Sequence, residues 1–380
     1  MNDKPFLRSA LVCLAVVLIF FGYMGYVMGT PNMLNTMMKT AHDLLLNTVF
    51  YLMALCVLTG ALGKIFLEFG VVKLLEALLR PLMKPLFNLP GVASLGAVLT
   101  FLSDNPAIIS LANDKRFSSY FKKYQFISLT NFGTAFGMGL LVIVFMVGQG
   151  FFVAPLVGFV GAFFGCIVSC RLMQRFVLKE FPNYATECAS DSTMEEIEAK
   201  RVVEKSLFVR ILNALLDGGK DGVACGMAII PGVLIISTFV MMLTFGAGGD
   251  CYDGSAYQGV ELLPWLAQKI NIVFELLFGF TDPHQIAFPI TALGAVGAAL
   301  GLVPTFQAQG WIDANAIAVF TAIGMCWSGY LSTHTAMLDS MGYRDLTPKA
   351  ILAHTCGGFV AGIVAHFLFL LATLILGPLA

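Results

Sequence analysis

The sequence predicts an all-α polytopic membrane protein, built as an inverted structural repeat with two re-entrant or broken helical hairpins. Three observations lead there. Of 380 residues, 58% are hydrophobic and only 12% charged, with a mean hydropathy of +0.84, whereas soluble domains run nearer a quarter charged. Apolar runs of about twenty residues recur from end to end, each long enough at 1.5 Å per residue to cross roughly 30 Å of hydrocarbon. Two further apolar regions, one in each half, are interrupted by polar residues and proline.

The first run, Ser9 to Gly29, follows Lys4 and Arg8 in a signal-like charge pattern. It is long and no small-x-small cleavage site ends it, so it reads as a first transmembrane helix. Further spans are expected at 44–63, 124–147, 151–170, 222–246 and 350–376. Residues 89–112 (LPGVASLGAVLTFLSDNPAIISLA) form two apolar arms separated by Ser103, Asp104, Asn105 and Pro106. Each arm is too short to cross the bilayer, and proline disfavours helix at the residue before it. This segment therefore reads as a re-entrant hairpin. A second broken region runs from Thr281 to Asp339, with arms at 283–303 and 315–338 around a polar connection; Ser328, Gly329 and Ser332 to Thr335 interrupt the second arm. It reads either as one hairpin or as a span plus a hairpin.

Between the halves lies a charged loop, 173–213, containing STMEEIEAKRVVEKS. Ser192 or Thr193 ahead of Glu195 and Glu196 opens a capped helix, which reads as a solvated linker. The expected organisation is an N-terminal scaffold helix and outer loop at 1–43, a first gate repeat at 44–172, the linker at 173–213, and a second gate repeat at 214–380. Matching parts appear in each half, with Thr130 and Asn131 before Gly133 set against His354 and Thr355 before Gly357. Span counting puts the first hairpin inside and the second outside, the inverted arrangement that gathers broken helices at a midplane site.

Charge placement gives the orientation. With the N-terminus cytoplasmic, 18 Lys and Arg fall on inner segments and four on outer ones (Lys39, Lys269, Arg344 and Lys349), as the positive-inside rule requires. A bacterial inner-membrane location is expected. Lys plus Arg total 22 against 23 Asp plus Glu, which gives no reason to expect a nucleic-acid partner. Nine scattered cysteines without a CxxC pair read as small buried hydrophobes.

Catalytic motifs are missing: no GxxxxGK[ST] loop, because Leu58 stands where its first glycine belongs before Gly63 and Lys64, and no HExxH or GxSxG. The chain reads as a non-enzyme without an NTPase engine. What remains is polar chemistry at membrane depth, where an Asp costs about 2.5–3.5 kcal/mol on insertion scales. Asp104 and Asn105 serve as a helix cap or as half of a polar site at the hairpin tip. Thr130 and Asn131 either aid packing or lend amide and hydroxyl to the same cavity. Ser332, Thr333, His334 and Thr335 lie at a helix break with Asp339 beyond, and His354 and Thr355 complete the candidate substrate- or ion-binding set. His334, His354, Cys326 and Cys356 are metal-ligand types, but their spacing singles out no metal site. His366 reads as one satisfied interhelical hydrogen bond, Asp282 with His284 as a cap, and the glycines as helix-packing faces. Trp265 and Trp311 suit outer interfaces.

The segment FLSDNPAIISLANDKRFSSYFKKYQFISLTNFGTAFGMGLLVIVFM resembles the gate (nucleoside-recognition) domain of the ferrous-iron permease B protein and of spore-maturation membrane proteins. NALLDGGKDGVACGMAIIPGVLIISTFVMML is similar to the segment preceding the second hairpin of concentrative nucleoside transporters, with Asp217–Gly218 and Asp221–Gly222 as its paired motif. The resemblance implies a concentrative-nucleoside-transporter-like fold. Its two hairpins and two broken helices would enclose a midplane site, with Asp104, Asn105, Thr130 and Asn131 at the first gate and Ser332, Thr333, His334 and Thr355 at the second. The glutamate-bearing hairpin motifs of nucleoside transporters and the tip cysteine of the iron permease are absent. The function expected is secondary active transport of a small polar solute, nucleoside-like or another metabolite, by alternating access coupled to H+ or Na+ and without a cofactor, in a homo-oligomer. The alternatives are a non-transporting gate-domain module acting through a protein partner, and a divalent-metal permease.

Overall fold

In the computed structural model, residues 4–104, 106–112, 115–190 and 206–377 are described, and they are nearly all helical, with no strand among them. The N-terminal helix α1 (Lys4–Met28) turns its apolar side chains outward, Leu11, Val16 and Ile19 among them, as a lipid-facing helix does. Gly29, at φ 78°, starts α2 (Thr30–Asp43), which has Pro31 in its first turn. Here the expected outer loop is a helix. Its buried Thr36 and Thr40 and its half-buried Asn32 bond to Ser255, Tyr257 and Tyr252 of the loop at 245–261, which gives an otherwise polar segment a packed face. A π-turn at Leu44–Val49 carries the chain into α3 (Phe50–Glu68).

Helix α4 (Val71–Leu82) is amphipathic, with Leu74 and Leu78 exposed, and Asn88 ends the following π-turn in the left-handed conformation. The first hairpin is α5 (Ala93–Leu102) and α6 (Pro106–Ala112), joined through Ser103 and Asp104, and followed by α7 (Lys115–Ser119). The next span is broken into α8 (Lys123–Thr134) and α9 (Gly139–Gly148), with Met138 left-handed at the break. Helix α10 (Val153–Glu180) is unbroken. Residues 191–205, which hold Ser192, Thr193, Glu195 and Glu196 of the linker, lie outside the described residues.

The second half opens with α11 (Leu207–Pro231), which continues through a π-turn into α12 (Thr238–Thr244). This helix starts well before the expected residue 222. Asp217 and Lys220 are exposed and pair with each other at i,i+3, so their charges do not end it. After α13 (Leu262–Lys269) and α14 (Asn271–Phe278), a second hairpin is built from α15 (Ala287–Gly294), α16 (Val296–Leu300) and α17 (Val303–Ala308). A second broken span follows, α18 (Ala314–Cys326) and α19 (Tyr330–Ser340), and then the unbroken α20 (Thr347–Leu376). The region 281–339 is therefore a hairpin plus a broken span. Among the described residues, seven helical segments are long and apolar enough to cross a membrane.

The halves share an order of parts, with one change from the expected matching. The broken α8–α9 corresponds to the broken α18–α19, whereas His354 and Thr355 sit on the unbroken α20, which packs along α10. Glycines make that packing close: a Cβ on Gly165 would stand 2.5 Å from the Gly357 carbonyl oxygen. Helices α3 and α11 form the other extensive pair. The hairpins enter from opposite ends of the bundle. Tyr124 of α8, at the base of the first, accepts from Asn88 Nδ2, and Lys123 binds Glu187. At the base of the second, the Phe245 and Trp311 rings lie 5.0 Å apart, tilted by 42°, and Gln307 donates to the Gln149 carbonyl.

The basic residues need one correction. Lys349 pairs with Glu180, and the Tyr343 and Tyr184 rings lie 6.3 Å apart. Arg344 and Lys349 therefore belong to the end bearing Lys123 and Lys179, not to the opposite one, because the extra broken span returns the chain. Only Lys39 and Lys269 then remain on the outer segments of the expected topology.

Candidate functional site

The tip of the first hairpin does not meet a solid wall. Ser103 and Asp104 line an open-mouthed cavity of about 500 Å³ bounded by α3, α9, α11 and the hairpin. Its polar lining is Thr59 and Lys64 from α3, Asp221 and the Cys225 thiol from α11, Cys56 from α3, and Ser103 with Asp104. Leu67, Leu99, Leu102, Met138 and Leu141 supply the apolar remainder. Lys64 Nζ binds Asp221 Oδ2 at 3.1 Å across the two helices. Asp221 lies fourteen residues into α11, about 21 Å of helix from its start. The cavity is thus charged and lies between two spans.

The walls come this close because α3 and α11 cross on glycine. A Cβ at Gly60 would stand 2.5 Å from the Gly218 carbonyl oxygen, and one at Gly222 would stand 2.3 Å from the Cys56 carbonyl oxygen. One turn further on, Cys56 and Cys225 face each other at 3.8 Å between sulfurs. Gly63 lets the hairpin approach, with the Leu102 carbonyl oxygen 3.3 Å from where its Cβ would be. The Thr59 hydroxyl donates to the Leu55 carbonyl and the Ser103 hydroxyl to the Leu99 carbonyl.

A second polar cluster lies where the broken spans meet. Ser328, in the break of α18–α19, donates to the carbonyl of Thr134 at the break of α8–α9, 3.3 Å away. The second hairpin's tip reaches the same break, where Gly329 donates from its backbone to Ala292. Behind these breaks lies a hydrogen-bond chain. Asn131 Nδ2 donates to Ser169 Oγ at 3.0 Å and to the Ala350 carbonyl at 2.9 Å. Ser169 then bonds to His354 Nδ1 at 2.8 Å, and His354 Nε2 bonds to the Cys326 carbonyl. A carbonyl only accepts, so His354 Nε2 carries a proton and donates it to Cys326.

His334 sits beside it, with ring centroids 4.7 Å apart, and its Nδ1 donates to the Tyr330 carbonyl at 2.9 Å. Its buried Nε2 has no partner among the described residues. The Tyr330 hydroxyl bonds Thr355 Oγ1 at 2.8 Å, and Thr130 donates to the Ile127 carbonyl.

The expected residues thus separate into three places. Asp104 lines the cavity. Thr130, Asn131, His334, His354 and Thr355 come together in the buried cluster, where their polar groups are largely bonded to one another or to backbone. Ser332, Thr333 and Thr335 turn their hydroxyls back to the carbonyls of Gly329 and Leu331, and Asp339 stands exposed 3.7 Å from Arg344. Asn105 lies outside the described residues. His366 makes the single bond expected of it, to Asn315 Oδ1 at 2.9 Å, and Asp282 accepts from the backbone and ring of His284.

The sequence reading missed Lys64, Asp221 and the Cys56–Cys225 pair. Their signal was present: a lysine and an aspartate inside otherwise apolar spans are costly unless paired or solvated.

Residues 45–150 match the family model Gate, nucleoside recognition. No curated protein matches the chain in sequence. In fold the chain is similar to three solved structures of CNTnw, each at 12% identity. For the inward-facing substrate-bound state the TM-score is 0.53, over 97% of this chain and 86% of that one. For an outward-facing variant it is 0.51, over 97% and 87%, and for an intermediate state 0.51, over 97% and 88%.

Proposed function

We propose that this multi-pass membrane protein is a secondary transporter of a small polar solute, working by alternating access and driven by an H+ or Na+ gradient. The observation that carries the reading is the charged cavity at the tip of a broken hairpin, within the span region and between two sets of helices. Charged groups at this depth are expensive, and they mark solute or ion pathways in membrane proteins. The α3–α11 pair, fused by glycine contacts, forms one wall; the hairpin and α9 form the other. A rigid-body shift of one wall against the other would open the cavity to alternate sides. The fold likeness supports this reading, because CNTnw adopts inward-facing, intermediate and outward-facing states.

In this scheme Asp104 binds solute or coupling cation, and Lys64 with Asp221 contacts the solute. The buried cluster of Asn131, His334, His354 and Thr355 fixes the two helix breaks against each other. The N-terminus lies in the cytoplasm of a bacterial cell, with the protein in its inner membrane as a homo-oligomer.

The test is uptake into proteoliposomes under an imposed Na+ or proton gradient, for wild type, Asp104→Asn and Lys64→Gln. Uptake should collapse when the gradient is dissipated, and each variant should lose at least about tenfold, the equivalent of 1.4 kcal/mol or more of binding. Uptake indifferent to both gradients and to both variants would refute the proposal.

A further inference from the structure

The cavity's charges indicate which class of solute it takes. Resting on the transport reading above, we propose that the solute is a small zwitterion carrying an ammonium and a carboxylate, that is, an α-amino acid with a modest apolar side chain. The geometry behind this is the Lys64–Asp221 pair, which closes across α3 and α11 at 3.1 Å with both groups on the cavity wall. A guest with one charge would displace one partner and leave the other without its counter-charge, at the cost of their mutual attraction, and both side chains are open enough for a guest to reach, 39% exposed for Lys64 and 69% for Asp221. A neutral polyol offers no charge to replace either partner.

A guest bearing both charges avoids the penalty. Its carboxylate takes the ammonium of Lys64, its ammonium takes the carboxylate of Asp221, and every ion keeps a partner. Asp104 adds a further carboxylate on the hairpin side of the cavity. Leu67, Leu99 and Leu141, on three of the elements, give the cavity an apolar side, which suits an apolar side chain. About 500 Å³ is ample for such a guest and falls within the ordinary range of small-molecule sites.

The experiment is a binding and uptake screen on the purified full-length protein in proteoliposomes. It uses the proteinogenic amino acids, the amine and the acid that correspond to each hit with one charge removed, and uridine. The expected result is saturable uptake of one or more neutral amino acids, with the matching amine and acid at least about tenfold weaker. Lys64→Gln and Asp221→Asn should each lower uptake by at least about tenfold. The exchanged pair, Lys64→Asp with Asp221→Lys, should recover part of it, provided thermal unfolding shows the variant folded. The ligand panel on wild type needs no variant and decides the matter alone. Uptake of uridine or of a singly charged compound, with no amino acid taken up, would overturn the zwitterion assignment while leaving transport intact. Uptake of nothing in the panel or in a wider solute library would overturn both.

Discussion

Replacing Gly222 by alanine tests the framework of the cavity. The added Cβ would lie 2.3 Å from the Cys56 carbonyl oxygen and 2.5 Å from Val57 Cα, both backbone atoms that cannot swing away. Ordinary van der Waals contact begins at 3.4 Å, so α3 and α11 must part by about 1 Å. Overpacking of this kind costs about 1–3 kcal/mol, which lowers the thermal midpoint by about 2–6 °C at roughly 2 °C per kcal/mol. The Cys56–Cys225 sulfur separation, now 3.8 Å, would widen to about 5 Å, further from the roughly 2 Å a disulfide requires.

The assay is mild oxidation with a diazene such as diamide, which takes up two protons and two electrons as the thiols join. The cross-linked peptides are quantified by mass spectrometry, alongside thermal unfolding. Gly219→Ala is the control, because its Cβ would meet only Val57 Cγ1 at 3.7 Å. Gly219→Ala should match wild type, whereas Gly222→Ala should melt lower and cross-link less. Equal behaviour of the two variants would refute the close crossing, and with it the shape assigned to the cavity.

The buried cluster and the polar end of the molecule give further predictions. Ser169→Ala removes the link between Asn131 and His354; membrane hydrogen bonds average about 0.6 kcal/mol each, so two lost bonds should destabilise by about 1 kcal/mol in a denaturant titration. Lys123 and Asn183 bond the Glu187 carboxylate and hold its pKa below its ordinary value. The stabilisation from that pair is therefore complete above about pH 4.5 and is lost as pH falls through the lowered pKa. Hydrogen exchange at Ala189 and Lys123, whose amides bond to Phe121 and Glu187, should accelerate over that acid window once intrinsic rates are removed, and Glu187→Gln should abolish the dependence.

The fold was legible wherever apolar length or a proline break decided the outcome. The first hairpin followed from two short arms around Ser103–Pro106, and the long helices followed from their apolar runs. The second broken region was ambiguous because Gly294–Ala295 and Trp327–Gly329 both interrupt apolar sequence. Only three-dimensional packing tells a hairpin tip from a break in a spanning helix. That ambiguity shifted the span count by one crossing and put Arg344 and Lys349 on the wrong side.

The site was legible in part. Asp104, singled out by its cost at membrane depth, lines the cavity. The His334–His354 pairing across two helices follows from no spacing rule, because the residues lie twenty positions apart on separate elements. Lys64 was read as an inner basic residue and a remnant of a phosphate loop, and Asp221 as half of an Asp-Gly motif. Their meeting depends on Gly60, Gly218 and Gly222 bringing α3 and α11 together, a tertiary fact that no local window contains.

The central claim is that the solute occupies the cavity beside Asp104. Cys225 lines that cavity and Cys188 lies outside the spans and exposed, so the chain carries its own probe and control. Alkylation of both by N-ethylmaleimide, followed with and without a saturating transported solute, should show Cys225 slowed several-fold and Cys188 unchanged. A transported solute that leaves the Cys225 rate untouched would place the binding site elsewhere.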